Sequence, residues 1–347
     1  MTLKTLIVVG GDAASQGRPR HGAILTALEP VANRPIVHHV LDWLRQDSDG
    51  GFIFAGDADA LLELRSGLIE YSPALDRVEY VVSDRRAGIA GAIAAAAPLV
   101  GNAACLIQPA DGMLAEPVMP LLEMLNREAS DLVLLVSPQQ GHDDPWAAAS
   151  LDNEINAERG QVVDAGLFAP GALGRVVDPT RPAGNDLVTA GMRLAAEGGS
   201  VHRHPVDGWC RYRGHGADLL ELNRVALDRV VRAIPPGVAD SNRIEGNVRI
   251  DPMATVRSSV IVGPTVIGPG ATVTDAYIGP YTSVGAGARI IGTEIERSIV
   301  SPGASVLHIG SRLTSCLVGR GARVFRDFTL PRALRLWVSE GDDIALC

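Results

Sequence analysis

The second half of the chain repeats itself, and the repeat narrows sharply what it can fold into. The segments Ile267-Gly268-Pro269-Gly270-Ala271-Thr272-Val273, Val284-Gly285-Ala286-Gly287-Ala288-Arg289-Ile290, Val300-Ser301-Pro302-Gly303-Ala304-Ser305-Val306 and Val318-Gly319-Arg320-Gly321-Ala322-Arg323-Val324 share one pattern, and Ile250–Val256 is a weaker copy. Their alanines stand at 254, 271, 288, 304 and 322, in steps of 17, 17, 16 and 18 residues. Three flat strands of about six residues each make one triangular coil of a hexapeptide-type parallel β-helix. Small or β-branched residues point inward, alanine recurs where space is tightest, and glycine supplies the corners. One coil cannot bury its apolar face alone, so about five must stack. A β-sandwich with Gly-Pro turns is the competing reading. A β-helix by itself names no function, since such folds serve as acyltransferase sites, assembly surfaces or inert spacers.

Before residue 233 the pattern differs. Leu6–Val9, Gly51–Ala55, Val78–Val82, Ala104–Gln108 and Asp131–Val136 read as strands, mostly apolar throughout, which fits strands covered on both faces. Helical spacing separates them in Ile36–Leu44, Ala58–Ile69, Gly88–Leu99 and Val118–Leu125, and Ala217–Arg232 closes the half as a packed helix. Such alternation makes a doubly wound, mostly parallel α/β sheet. Ala233-Ile234-Pro235-Pro236-Gly237 reads as a linker. The expected organisation is an α/β domain over 1–232, a linker over 233–242 and a β-helix over 243–347.

The order of these halves, with Leu6-Ile7-Val8-Val9-Gly10-Gly11 opening the first and an Arg-Pro pair followed by Pro30-Val31-Ala32-Asn33-Arg34-Pro35-Ile36, resembles the sugar-1-phosphate nucleotidylyltransferases. The likeness is greatest to the long form of glucose-1-phosphate thymidylyltransferase. Further matching stretches are Gly88-Ile89-Ala90, Ala110-Asp111-Gly112, Gly208-Trp209, Asp218–Arg224, Ala276–Ser283 and Pro331–Leu336. The resemblance implies a Rossmann-like nucleotidyltransferase domain with a mixed sheet, followed by a left-handed β-helix. It also implies a reaction in which a nucleoside triphosphate and a sugar 1-phosphate give a nucleotide sugar and pyrophosphate. That chemistry needs donors around the triphosphate, cations for the developing charge and Mg²⁺ on carboxylates.

Carried over residue by residue, the resemblance leaves much of that machinery replaced. Gly10 and Gly11 keep a backbone able to approach a phosphate, and Gly88 keeps a place for a base. The loop arginine falls on Gln16, with Arg18 beside Pro19 as a possible substitute; the following lysine falls on Thr26; the base-reading glutamine falls on Ser83. The glutamate-lysine-proline segment has no counterpart, and the later Gly-Glu pair reads Gly184-Asn185. Asp111 keeps the place of one Mg²⁺ carboxylate and is the candidate catalytic and metal residue. The second metal aspartate falls on Tyr212, or one place away if the register slips. A phenol is neutral at pH 7 and a poor substitute for a carboxylate.

Trp209, Arg211 and Arg213, with Arg203, could hold an anionic substrate, since guanidinium forks suit phosphate, or could form a solvated basic edge. His202 and His204 share a strand face, and with His215, Cys210, His21 and Asp111 they could make a new metal or acid–base site, although no tight ligand spacing is present. His142-Asp143-Asp144-Pro145 reads as a polar loop, and no hydrolase triad can be drawn.

Lys and Arg number 31 against 40 Asp and Glu, a net charge of −9, and no basic run offers a nucleic-acid footprint. No uncharged apolar run is long enough for a membrane span, and the N-terminus reads as a buried strand, not a leader. The four cysteines form no CxxC pair, which favours a reducing, cytoplasmic setting. Three functions follow as expectations: a nucleotidyltransferase whose transfer is weak or absent, a non-catalytic nucleotide or sugar-nucleotide binder or scaffold for an active paralogue, and an enzyme reusing the pocket for other chemistry. Mg²⁺ is expected only if the protein is active, and a homo-oligomer is expected because β-helix coils make good association surfaces.

Overall fold

The computed structural model describes residues 2–10, 25–45, 50–69, 77–84, 87–114, 116–137, 161–177 and 186–326. Gly11, Gln16, Arg18, His21, residues 142–145, Gly184-Asn185 and residues 331–336 lie outside them. The chain divides into two compact units, Met1–Arg229 and Val230–Cys347.

In the first unit, β1 (Leu3–Val8) is followed by a 3₁₀ turn over Thr26–Leu28, then by the two-residue strands β2 (Pro30–Val31) and β3 (Arg34–Pro35). These two pair across Ala32 and Asn33, both at positive φ, as a tight hairpin with a right-handed twist demands. Pro35 then starts α1 (Ile36–Leu44), whose Ile36, Val37, Val40, Leu41 and Leu44 are buried. After β4 (Phe52–Gly56) comes α2 (Ala58–Gly67), capped by the Asp57 carboxylate accepting from the Ala60 amide at 2.8 Å. Next are β5 (Val78–Val82), α3 (Gly88–Val100), β6 (Ala104–Pro109), β7 (Gly112–Met113), α4 (Val118–Arg127), β8 (Leu132–Ser137) and β9 (Gln161–Phe168). The unit closes with α5 (Ala172–Arg175), α6 (Leu187–Ala196), β10 (Val201–Pro205), β11 (Cys210–Arg211) and α7 (Gly216–Leu227).

Seven strands form one sheet in the order β10-β8-β9-β6-β1-β4-β5, parallel except for β9. One face carries Leu6, Val8, Ile53, Ala55, Cys105, Ile107, Leu132 and Leu134 against the small apolar side of α3 (Ala92, Ile93, Ala96) and Leu187 and Leu194 of α6. The alternate residues Ile7, Phe54 and Leu106 are equally buried, so both faces of the central strands are covered. The edge strand β5 departs from that expectation: Val82 is 64 % exposed, and Tyr80 reaches solvent while stacking on Phe54 at 5.4 Å under the Arg65 guanidinium. A strand at an edge has one neighbour, and its apolar composition alone did not show which strand would take that place.

His39 of α1 sets a pH dependence. Its Nε2 lies 2.9 Å from the Val31 carbonyl. Burial pushes the imidazole down to about 4, against the smaller opposing effect of that hydrogen bond. The folded state resists a proton that the unfolded chain accepts near 6.5. Stability from this site is therefore complete above pH 6.5 and is lost as pH falls toward about 4. Denaturant titrations between pH 7 and 4 should show a shallower acid decline for His39→Gln than for wild type, and parallel curves would count against this assignment.

In the second unit, short strands from β12 (Arg243–Glu245), β13 (Val248–Ile250) and β14 (Thr255–Arg257) onward recur in fixed order on three parallel sheets of five strands each. Each strand pairs with the strand one turn later, and three apolar columns result. These are Ile244-Ile261-Ile278-Ile295-Leu313, Ile250-Ile267-Val284-Val300-Val318 and Val256-Val273-Ile290-Val306-Val324. The repeated Ala271, Ala288 and Ala304 have no exposed surface. The glycine before each, Gly270, Gly287 and Gly303, turns the corner at φ between 63° and 71°, where other residues are strained. This is a three-faced parallel β-helix, and the sandwich alternative is excluded because every strand in it is parallel to its neighbours.

Candidate functional site at a topological switch point

The strand order reverses beside β1. From β1 the chain adds β4 and then β5 on one side, and β6 is laid on the other. In open α/β sheets the crevice beyond the carboxyl ends of two such strands is where ligands bind. The Ala110 amide donates to the Val8 carbonyl at 2.8 Å, so Gly10 and Asp111 leave the sheet side by side. Gly10 stands at φ 80° with Ala60 of α2 close by. Gly88 opens α3 at φ 54°, and Ser83, buried just after β5, donates its amide to the Gly56 carbonyl at 2.9 Å.

Asp111 is 4 % exposed and both its oxygens are engaged. Oδ2 accepts from the Thr26 hydroxyl at 2.7 Å, and Oδ1 accepts from Arg211 Nε at 2.8 Å. Thr26 and Arg211 thus converge on one carboxylate. Arg211 reaches it because β11 pairs antiparallel with β7, setting Arg211 opposite Gly112, while the Tyr212 amide donates to the Asp111 carbonyl at 3.0 Å. It is Arg211, one place before Tyr212, whose side chain faces Asp111. Arg211 Nη1 also donates to Asp164 at 2.5 Å. The Arg211 side chain is 6 % exposed. Burial works against its charge, but Asp111 and Asp164 outweigh that and hold the guanidinium above its ordinary pKa.

Asp164 had no motif to announce it. It lies two residues before Gly166, where the pairing of β9 with β6 stops and the β8–β9 register shifts between Leu134 and Val136. Such an irregularity re-aims a side chain. The one available sign was a lone carboxylate inside the apolar run Val162-Val163-Asp164-Ala165-Gly166-Leu167.

The other candidates are spread out. Trp209 packs against Gly112, where a Cβ would come within 2.8 Å of its ring. Gln108 Nε2 donates to the Gly112 carbonyl at 2.8 Å. Tyr212 is half-buried, its phenol raised by burial and then by Glu29 and Asp218. Arg213 and Arg203 are exposed, and the Arg213 amide donates to Asp218 at the start of α7. Burial raises the Cys210 thiol to about 12, which leaves it unreactive at neutral pH. Among the described residues, no group of three His, Cys, Asp or Glu could hold a metal ion.

The Mg²⁺ implied by the resemblance does not fit the described residues around Asp111. A hard divalent ion needs several free oxygen ligands. Both Asp111 oxygens already accept hydrogen bonds, and the group facing them is a cation.

Fold and site together define a doubly wound α/β unit with a crevice at its switch point, followed along the chain by a parallel β-helix. No protein-family model matches the chain. Among known proteins it is 27 % identical to the low-salt glycan biosynthesis nucleotidyltransferase Agl11 of Haloferax volcanii, covering 98 % of this chain and 99 % of that one. It is 25 % identical to a glucose-1-phosphate thymidylyltransferase of Streptomyces antibioticus, covering 99 % of each. A solved structure from Bacillus anthracis, described as a glucose-1-phosphate thymidylyltransferase in complex with a sucrose, shares the fold with a TM-score of 0.50 at 16 % identity, over 65 % of this chain and 95 % of that one. The resemblance to the sugar-1-phosphate nucleotidylyltransferases therefore holds across nearly the whole length. Among the described residues, no helix is long and apolar enough to cross a membrane.

Proposed function

We propose that this chain is a sugar-phosphate nucleotidyltransferase homologue that takes a nucleotide or nucleotide sugar at the crevice between β1 and β6 and carries out transfer weakly or not at all. The observation behind the second half is the engagement of Asp111. A carboxylate that must anchor a metal or steer an attacking phosphate is here pinned by Thr26 and Arg211. Ser83 and Thr26, which we read as replacing a base reader and a cation, are short neutral side chains. Losing one transition-state donor can cost ~10²–10³ in rate, and several are replaced together.

The first half rests on backbone. Gly10, which follows β1, and Gly88 at the N-terminus of the thirteen-residue α3 keep backbone that can approach a ligand closely, and a helix N-terminus favours anions. Ligand that binds only the folded state raises its stability by mass action. Thermal unfolding with dTTP, UTP, GTP and their glucose conjugates, without added metal, should show a saturable rise for at least one of them. No shift with any nucleotide or nucleotide sugar would overturn the binding half of the proposal.

A further inference from the structure

We infer that the Arg211 guanidinium is a permanent, protein-supplied cation in the crevice beyond β1 and β6, and that it excludes a divalent metal from Asp111. The inference concerns metal alone and holds whether or not a nucleotide binds.

Four observations converge. Arg211 lies between Asp111 and Asp164, with separate nitrogens serving each: Nε on Asp111 and Nη1 on Asp164. Its backbone is held by the β7–β11 pairing and by the Tyr212 amide on the Asp111 carbonyl, so the side chain cannot leave by a small loop shift. Both carboxylates turn toward it, Asp111 with both oxygens used and Asp164 from an irregular stretch of β9. The Arg211 and Asp111 side chains are 6 % and 5 % exposed, so little water screens a second cation brought beside the first.

The charges distinguish the two arrangements. Two carboxylates with one divalent ion sum to zero. Asp111 and Asp164 with Arg211 sum to −1, a weaker but permanent neutralisation that depends on no dissolved ion. A divalent ion could reach Asp111 only by expelling Arg211 or by sitting against it. The first leaves a buried guanidinium without its carboxylates, and the second sets like charges in contact.

Mn²⁺ serves as probe, since its free aquo ion gives a sharp paramagnetic resonance signal that is lost on binding. The full-length wild-type chain and the Asp111→Asn variant should leave that signal equally intact. Arg211→Asn, with its folded state checked by circular dichroism, should bind Mn²⁺ at least about tenfold more tightly than wild type. Depletion of the signal by wild type at one ion per chain, restored by Asp111→Asn, would overturn the inference. So would a folded Arg211→Asn protein that binds Mn²⁺ no better than wild type. The wild-type titration decides the matter alone if Arg211→Asn does not fold.

Discussion

Replacing Arg211 by leucine lowers the stability of the α/β unit by about 3–5 kcal/mol, because two carboxylates facing a buried guanidinium are left without it. For a unit of this size that corresponds to a fall of roughly 10 °C in its thermal transition. Asp111→Asn removes one partner, leaves Asp164 in place and costs less. The double variant Arg211→Leu/Asp111→Leu should recover part of the loss, since the penalty comes from an uncompensated charge and not from a missing attraction. Calorimetry resolves the two units better than a single-probe melt, whose midpoint has no simple meaning for a two-unit chain. A change under ~1 kcal/mol for Arg211→Leu, in the range of exposed ion pairs, would mean the network is solvated and loose.

The β-helix offers the second large effect. Ile290 lies in the middle of an apolar column, paired with Val273 before it and Val306 after it, and has no exposed surface. Ile290→Ala should cost ~2–5 kcal/mol, as buried large-to-small changes do where the surroundings cannot collapse. Stacked coils can collapse little, because each depends on its neighbours for its core. Arg289, one residue earlier and on the outer surface, gives the control: Arg289→Ala should stay within ~0.5 kcal/mol. Equal losses from the two changes would contradict the inward and outward assignment, and chemical denaturation of the two variants measures both.

How much of this was legible in the sequence depended on whether a feature repeats. The β-helix was, because one side-chain pattern recurs five times and only an inward-facing position explains alanines that stay in phase. The strands of the α/β sheet were legible too. β5 has the bounds its sequence predicts, Val78–Val82, and β1, β4, β6 and β8 lie within a few residues of their expected ends. What local pattern could not say was that β5 would be an edge with Val82 in solvent. Nor did it show β9 and α6, whose place in the sheet depends on long-range pairing.

The site was half legible for a similar reason. Asp111 announces itself at the end of an apolar strand. The use of Arg211 does not: in a two-residue strand such as β11, the residue that turns inward is decided by its partner β7. Read along the chain, Arg211 groups with Arg203 and Arg213 as a basic cluster, yet it is buried against carboxylates while they are exposed. Thr26 reads as a lost cation until its hydroxyl is seen on Asp111. Asp164 is aimed by an irregular strand pairing, a feature with no sequence signature of its own.

Steady-state pyrophosphate release, with Mg²⁺, a panel of nucleoside triphosphates and a panel of sugar 1-phosphates, bears most directly on a crevice whose key carboxylate is already taken. We expect wild type and the Asp111→Asn variant to release pyrophosphate at the same residual rate. Fast, Mg²⁺-dependent release by wild type that collapses in Asp111→Asn would show that Asp111 is free to do chemistry, and the account given for Arg211 would be wrong.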